Sequence, residues 1–237
     1  MTIKEILKCT KHRPWPLPTE GWKYYQEWNN AIFMHWKVDY NELQKLVPKE
    51  LEIDLIEGKP WISVVAFTME KMRLKNLPSF NPISNFNEIN IRTYVKSKNK
   101  SGVYFLSIEG GNKFSCKIAK ALSKLPYRFS KMKRNQNQYT SINHAFNDEF
   151  NVQFKINDSI NDKSTLDKWL TERYVLFQDF ESSIIEYEIH HVEWPIKKLE
   201  FINMELNYNR FEKFISNRPD KIHYSDGVQV IAWGKKK

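Results

Sequence analysis

Along residues 88–97 the chain alternates strictly. Ile89, Ile91, Thr93 and Val95 fall on one side of an extended backbone, and Glu88, Asn90, Arg92 and Tyr94 fall on the other. This period of two predicts a strand whose faces do different jobs. A Lys98-Asn99-Lys100-Ser101-Gly102 turn then leads into an apolar run at 103–108, which makes an antiparallel pair. Residues 33–38 form a short apolar run. Residues 51–57 alternate up to a Glu57-Gly58-Lys59-Pro60 turn, and 61–74 resumes the pattern, so 51–74 is expected to form a hairpin. Further strand patterns cover 127–134, 138–146, 150–156, 174–177, 184–192, 196–206 and 228–233.

The helical signals are few and short. Asp39 followed by Glu42 is a capping-box pattern for a helix through Leu43 and Leu46 that Pro48 closes, and Ser164 can cap a helix over 165–171. Lys113, Lys117, Lys120 and Lys124 share one helical face, while Phe114, Ile118, Leu122 and Leu125 line another. A cationic helix with a buried apolar seam, stopped by Pro126, is therefore predicted. Residues 75–87, with Pro78 and Pro82, are a loop over the surface or over a cavity mouth. About ten strands, a few short helices and no βαβ rhythm give a mainly β, α+β architecture of antiparallel, barrel-like type.

Composition narrows this picture. At 237 residues with 41% hydrophobic and 14% aromatic content, one domain over 1–237 is expected. Residues 1–30 are expected to be an arm packed on the barrel, with Trp15, Trp22, Trp28 and Trp36 as the packing series. The net charge of +9 suits an anionic partner and equally a solvated surface. It is concentrated: no acidic residue occurs between Glu109 and Asp148. Cys9 and Cys116 are far apart and the N-terminus lacks a signal-peptide apolar run, so a reduced, cytoplasmic protein is expected. No membrane partner is expected, because no stretch approaches the roughly 20 apolar residues that span a bilayer. Electropositive neighbours on the basic helix would lower the Cys116 thiol pKa, but a plain packed cysteine is favoured there.

Several strings in collinear order carry a family resemblance. They are His12-Arg13-Pro14-Trp15-Pro16-Leu17-Pro18, His35-Trp36-Lys37-Val38, Leu46-Val47-Pro48, Glu88 to Val95, Gly102-Val103-Tyr104-Phe105, Leu125-Pro126-Tyr127, Leu170-Thr171-Glu172-Arg173-Tyr174, Ile189-His190-His191 and Trp194-Pro195. Together they resemble the bacterial YqjF-like family, domain-of-unknown-function family 2071, over nearly the whole chain. That family is distantly similar to acetoacetate decarboxylase, most visibly at residues 43–54 and 116–129. The resemblance implies a closed antiparallel β-barrel around a ligand-binding cavity.

Acetoacetate decarboxylase forms a Schiff base through a lysine whose pKa is depressed by an adjacent lysine, the pair following a proline. Laying that proline on Pro126 places Tyr127 and Arg128 at the pair. Arginine cannot be deprotonated near neutrality, so imine chemistry is expected to be absent unless a shift of register recruits Lys124 or Lys131.

Glu88, Arg92 and Tyr94 then become candidates for the barrel interior. A guanidinium there would orient a ligand anion through its fork; otherwise Glu88 and Arg92 are a structural ion pair or a solvent face. The resemblance adds Tyr104 and Arg128 as second contacts. Glu88, His35 and His190 are the candidate general acids or bases. His190 and His191 point to opposite faces of a strand and cannot both face one metal, so no metal site is expected; no cofactor is expected either. The leading expectation is a protein that binds a small anionic organic molecule without Schiff-base chemistry. A lyase or isomerase acting on a keto or aromatic acid is the enzymatic alternative. Interaction of the helix at 113–124 with an acidic partner is the third, nucleic acid being disfavoured because Phe129 and Tyr139 are too few aromatics for a stacking platform.

Overall fold

Strand formation begins well before the apolar run at 33–38. In the computed structural model, which describes residues 1–215 and 218–236, helix α1 (Ile3–Lys8) precedes a long strand β1 (Tyr24–Lys37). The elements that follow are α2 (Tyr40–Gln44), β2 (Glu52–Ile53), β3 (Trp61–Leu74), α3 (Asn81–Ser84), β4 (Phe86–Ser97), β5 (Lys100–Gly110) and α4 (Lys113–Ser123). After them come β6 (Tyr127–Phe129), β7 (Lys131–Arg134), β8 (Gln138–Asn143), β9 (Asp148–Ser159), α5 (Thr165–Thr171), β10 (Val175–Phe180), β11 (Ser183–His190), β12 (Ile196–Asn207), α6 (Glu212–Ile215) and β13 (Lys221–Ala232).

The mainly β, α+β class expected from the pattern is what the chain adopts, as one sheet in the order β1-β3-β4-β5-β10-β11-β13-β12-β9-β8-β7. Strand β1 also pairs with β13 along most of its length, from Tyr24↔Ala232 to His35↔Lys221, so seven strands close into a ring. The ring is not wholly antiparallel. Strand β10 runs parallel to β5, with Leu176 opposite Val103, because α4, the small strands and α5 intervene and return the chain in the same direction. Gly102 makes that crossing possible: a Cβ there would run into the carbonyl oxygen and side chain of Val175.

Local signals gave α2, α4 and α5 but not α1, despite its Thr2–Glu5 capping box, nor the short α3 and α6. Asp39 accepts from the Glu42 N–H, and Ser164 with Asp167 forms a complete capping box for α5. Strand pairing needed information from further away. The expected hairpin over 51–74 does not form: β2 pairs with β4, Glu52 facing Lys96, and β3 is gripped by β1 and β4. The proposed arm at 1–30 overlaps the sheet, since β1 starts at Tyr24 and carries both Trp28 and Trp36. Residues 3–22 do pack outside it, Ile6 and Trp22 lying against Tyr25, Ile231 and Trp233. At the far end Lys236 pairs with Glu20 and bridges to Glu186, whereas Lys237 of the terminal lysine run lies outside the described residues. None of the described helices is long and apolar enough to cross a membrane.

The basic helix is present as α4 but turned differently from expectation. Its core-facing residues are Ser115, Cys116 and Ala119, while Phe114 is 61% and Leu122 51% exposed. Of the expected apolar seam Leu125 is buried and Ile118 half-buried, so the seam is only partly covered. The helix lies against Gly110 and β6 through its small residues, and Lys124 ends it in the left-handed conformation at φ 60°. Cys116 is packed beneath it, where burial pushes its thiol up to about 11, so the lysines do not activate it.

Candidate functional site

A cavity of about 310 Å³ opens between the sheet, the 71–87 segment and α4. Its wall is apolar, built from Phe33, Val65, Phe67, Phe105, Leu176 and Trp194, with Leu77, Phe80 and Leu122 at the mouth. The expected loop over 75–87 thus covers a cavity mouth, and α3 is a single turn within it.

Strand β4 supplies the polar groups. The alternation that puts Ile89 and Ile91 into the main core turns Glu88, Asn90 and Arg92 into the cavity. Glu88 is 2% exposed; Tyr127 Oη donates to its Oε2 at 2.8 Å and Asn90 Nδ2 approaches Oε1 at 3.3 Å. Burial pushes the carboxyl up to about 7, and these two hydrogen bonds only partly oppose the rise. Arg92 is also buried. Burial lowers its pKa, its Nη2 reaches the Leu170 carbonyl at only 3.5 Å, and its Nε has no partner. No ion pair holds Arg92 among the described residues, so Glu88 and Arg92 are not the structural pair that one sequence reading allowed. Its guanidinium carbon sits 5.9 Å from the centre of the Phe33 ring.

Other expected residues are placed elsewhere, for identifiable reasons. Tyr94 is on the Arg92 side of the strand, but α5 closes that end of the cavity; Tyr94 Oη donates to the Leu170 carbonyl at 2.9 Å and its ring packs on Trp169 at 4.5 Å. Tyr104 lies between Val103 and Phe105, both of which line the cavity, so the pleat turns it away and its hydroxyl donates to Asp179 at 2.5 Å. Tyr127 and Arg128 separate in the same manner: Tyr127 faces the cavity, whereas Arg128 bonds Ser107 and stacks over Phe146 at 4.7 Å. Neither Lys124 nor Lys131 lines the cavity, and no lysine does among the described residues.

The histidines also diverge. His190 Nε2 donates to the Ile6 carbonyl at 2.9 Å and stacks on His12, and burial lowers its pKa to about 4. His35 belongs to a closed network behind the cavity wall. Its Nδ1 lies 2.6 Å from Ser63 Oγ, which is 2.5 Å from Tyr94 Oη; its Nε2 lies 3.3 Å from His223 Nδ1, and His223 Nε2 donates to Asp167 at 2.7 Å. Burial lowers both imidazole pKa values, so both rings are neutral. Burial would raise the Asp167 carboxyl, but bonds from Lys221, Ser164 and His223 outweigh it and hold the group below its ordinary range.

Sequence reasoning did not select Asn90, Tyr127, His191 or Arg173, all of which line the cavity. Asn90 was marked by the same alternation as Glu88 and Arg92. Nothing local marks Arg173, whose charge Asp54 meets at 2.7 Å while its Nη2 is left unbonded.

The chain is 30% identical over 229 residues to the uncharacterized protein YqjF of Bacillus subtilis (strain 168), covering 93% of this chain and 95% of that one. Among solved structures it is similar to acetoacetate decarboxylase from Legionella pneumophila, with a TM-score of 0.64 at 12% identity over 94% of this chain and 92% of that one. It is likewise similar to the enduracididine biosynthesis enzyme MppR complexed with pyruvate, with a TM-score of 0.61 at 12% identity and the same two coverages. At such identities these two show the fold. A family model described as an uncharacterized conserved protein matches residues 25–229, and the chain accordingly belongs to the DUF2071, YqjF-like family, on an acetoacetate decarboxylase-like fold.

Proposed function

We propose that this protein binds a small organic acid in the cavity beneath α4. Arg92 anchors the anionic head, the aromatic and aliphatic wall holds the body, and Glu88, Asn90 and Tyr127 contact a polar substituent. One observation carries the reading: a buried guanidinium faces an apolar cavity with no carboxylate partner and an unbonded Nε. An uncompensated buried charge is costly, and an incoming carboxylate relieves that cost through a charge-assisted hydrogen bond. Pyruvate bound to the structurally similar MppR is in keeping with an acid of this kind.

The lining also supports the absence of imine chemistry, since it contains no lysine among the described residues. A second reading has its own observation. Glu88, at a pKa of about 7 and bonded to Tyr127, is poised to exchange a proton near neutrality, which suits a lyase or isomerase acting on a keto or aromatic acid. No metal or cofactor enters either reading.

The test is thermal stabilisation by a panel of keto, aromatic and aliphatic acids. A bound acid at a hundredfold excess over its Kd stabilises by about 2.7 kcal/mol, and Arg92→Met abolishes that gain. Stabilisation that survives Arg92→Met sinks the anchor. Turnover of the bound acid by purified protein selects the enzymatic reading, and a borohydride-trapped adduct overturns the claim that the imine is absent.

A further inference from the structure

The exposed apolar residues of α4 belong to a larger apolar rim around the cavity. Leu74, Leu77, Phe80 and Leu122 line the mouth and are 40%, 55%, 62% and 51% exposed; Phe114, on the same helix, is 61% exposed. At 100° per residue, Phe114, Ile118 and Leu122 form a stripe on the mouth side of α4, while Lys113, Lys117, Lys120 and Lys124 form a parallel stripe on its outer side. The two segments make one rim: Asn112 Nδ2 donates to the Pro82 carbonyl at 3.0 Å, and Ser115 Oγ donates to the Ile83 carbonyl at 3.0 Å.

The rim is also predominantly cationic, although Lys71 pairs with Glu27 at 3.1 Å. Residues 71–87 contain Lys71, Arg73 and Lys75 with no acidic residue, and residues 110–147 contain none either. The four α4 lysines are exposed, and none is in an ion pair among the described residues. Lys113 leans over Phe129 with its Nζ 5.0 Å from the ring centre, which keeps cation and apolar surface side by side.

We propose that this rim docks on an anionic phospholipid surface, with the cavity mouth facing the bilayer. A peripheral contact needs no spanning helix, so it narrows the earlier expectation of no membrane partner to one of no membrane span. Lipid is favoured over a nucleic acid because both halves of the rim must be matched. Phosphate headgroups meet the lysines, but only the headgroup–acyl boundary also takes up protruding leucine and phenylalanine side chains. A nucleic-acid backbone offers the charge and leaves Leu74, Leu77 and Leu122 in water. Docking in this orientation would also let a ligand with an apolar body pass between bilayer and cavity. The surface proposal does not depend on what occupies the cavity.

Sedimentation of the full chain with phosphatidylcholine vesicles, with and without a minority of phosphatidylglycerol, tests it. The protein is expected to sediment with the anionic vesicles, to release at high salt, and to stay in solution with neutral ones. The triple variant Lys117→Glu, Lys120→Glu, Lys124→Glu is expected to lose at least roughly a hundredfold in partition, from about fivefold per lysine removed. The variant Leu77→Ser, Phe80→Ser, Leu122→Ser keeps every lysine and is expected to lose roughly tenfold on the same vesicles. Thermal melts of both variants confirm that they fold. Absence of vesicle binding by the unaltered chain overturns the proposal. So does binding that survives the lysine reversal. Binding to heparin or an oligonucleotide that matches vesicle binding and ignores the serine variant assigns the rim to polyanions instead. A self-associated chain that dissociates when the rim is changed, with no vesicle binding, assigns it to a second copy.

Discussion

Two buried polar clusters meet at the carbonyl of Leu170, and they are finished differently. On one side Tyr94 donates to that oxygen at 2.9 Å and leads through Ser63, His35 and His223 to Asp167, each group having a partner. On the other side Arg92 approaches the same oxygen at 3.5 Å and ends in the cavity with its Nε unbonded; Asn90 Oδ1 beside it is also without a partner. The two clusters draw on neighbouring positions of the same strand, so burial alone does not distinguish them. Completeness does. A satisfied network fixes how α5 packs against the ring, whereas the unsatisfied one faces the apolar cavity, where the proposed organic acid would supply its partner.

That contrast can be broken most forcefully at Asp167. The carboxylate is 3% exposed, accepts from the neutral His223 and from the partly exposed Lys221, and completes the α5 capping box, so Asp167→Ala is expected to cost about 3 to 4 kcal/mol in denaturant unfolding, the sum of a buried donor left unmet and a lost cap. A loss under about 1 kcal/mol would place this network with ordinary surface contacts. Glu88 gives the next largest effect, through pH. Its carboxyl titrates at about 7 in the folded chain against roughly 4.3 when unfolded, so the folded state holds the extra proton between those values. Stability should therefore fall by roughly 3 kcal/mol as pH rises through that window and be flat above it; Glu88→Gln should remove the fall. A pH-independent difference between the two proteins would show that burial does not govern this carboxyl. The smallest effect, and the one with opposite sign, is expected at Arg92. With no ion pair to lose, Arg92→Met should leave stability unchanged or raise it by about 1 kcal/mol. Destabilisation approaching that of Asp167→Ala would show that Arg92 is structural after all.

How much of this could be read from the chain depends on the range of the cause. Capping is local, and Ser164 announced α5 correctly. The period of two along β4 is local as well, and it put Glu88, Asn90 and Arg92 on one face before any fold was known. It did not reveal where the cavity stops, because the wall behind Tyr94 is made by Trp169 and Leu170, some 75 positions onward. The same applies to Tyr104 and Arg128: the resemblance located the right strands, but their pleat decided which neighbour faced inward. The His35 network joins β1, β3, β4, α5 and β13, and no spacing marks such a set. On α4 the hydrophobic period was real, yet periodicity separates faces without saying which one meets the core.

With β1 paired to both β3 and β13, the main path of the sheet has its free end at β7 among the described residues. The sequence of that last strand is Lys131-Met132-Lys133-Arg134, and among the described residues it pairs with β8 alone. An unpaired strand edge is a template for another chain, and lysines and arginines along it repel a like-charged copy. The second half of the acid-free stretch thus guards against edge-to-edge aggregation. Neutralising it would be felt first in solubility at high concentration, with the cavity and its rim unchanged.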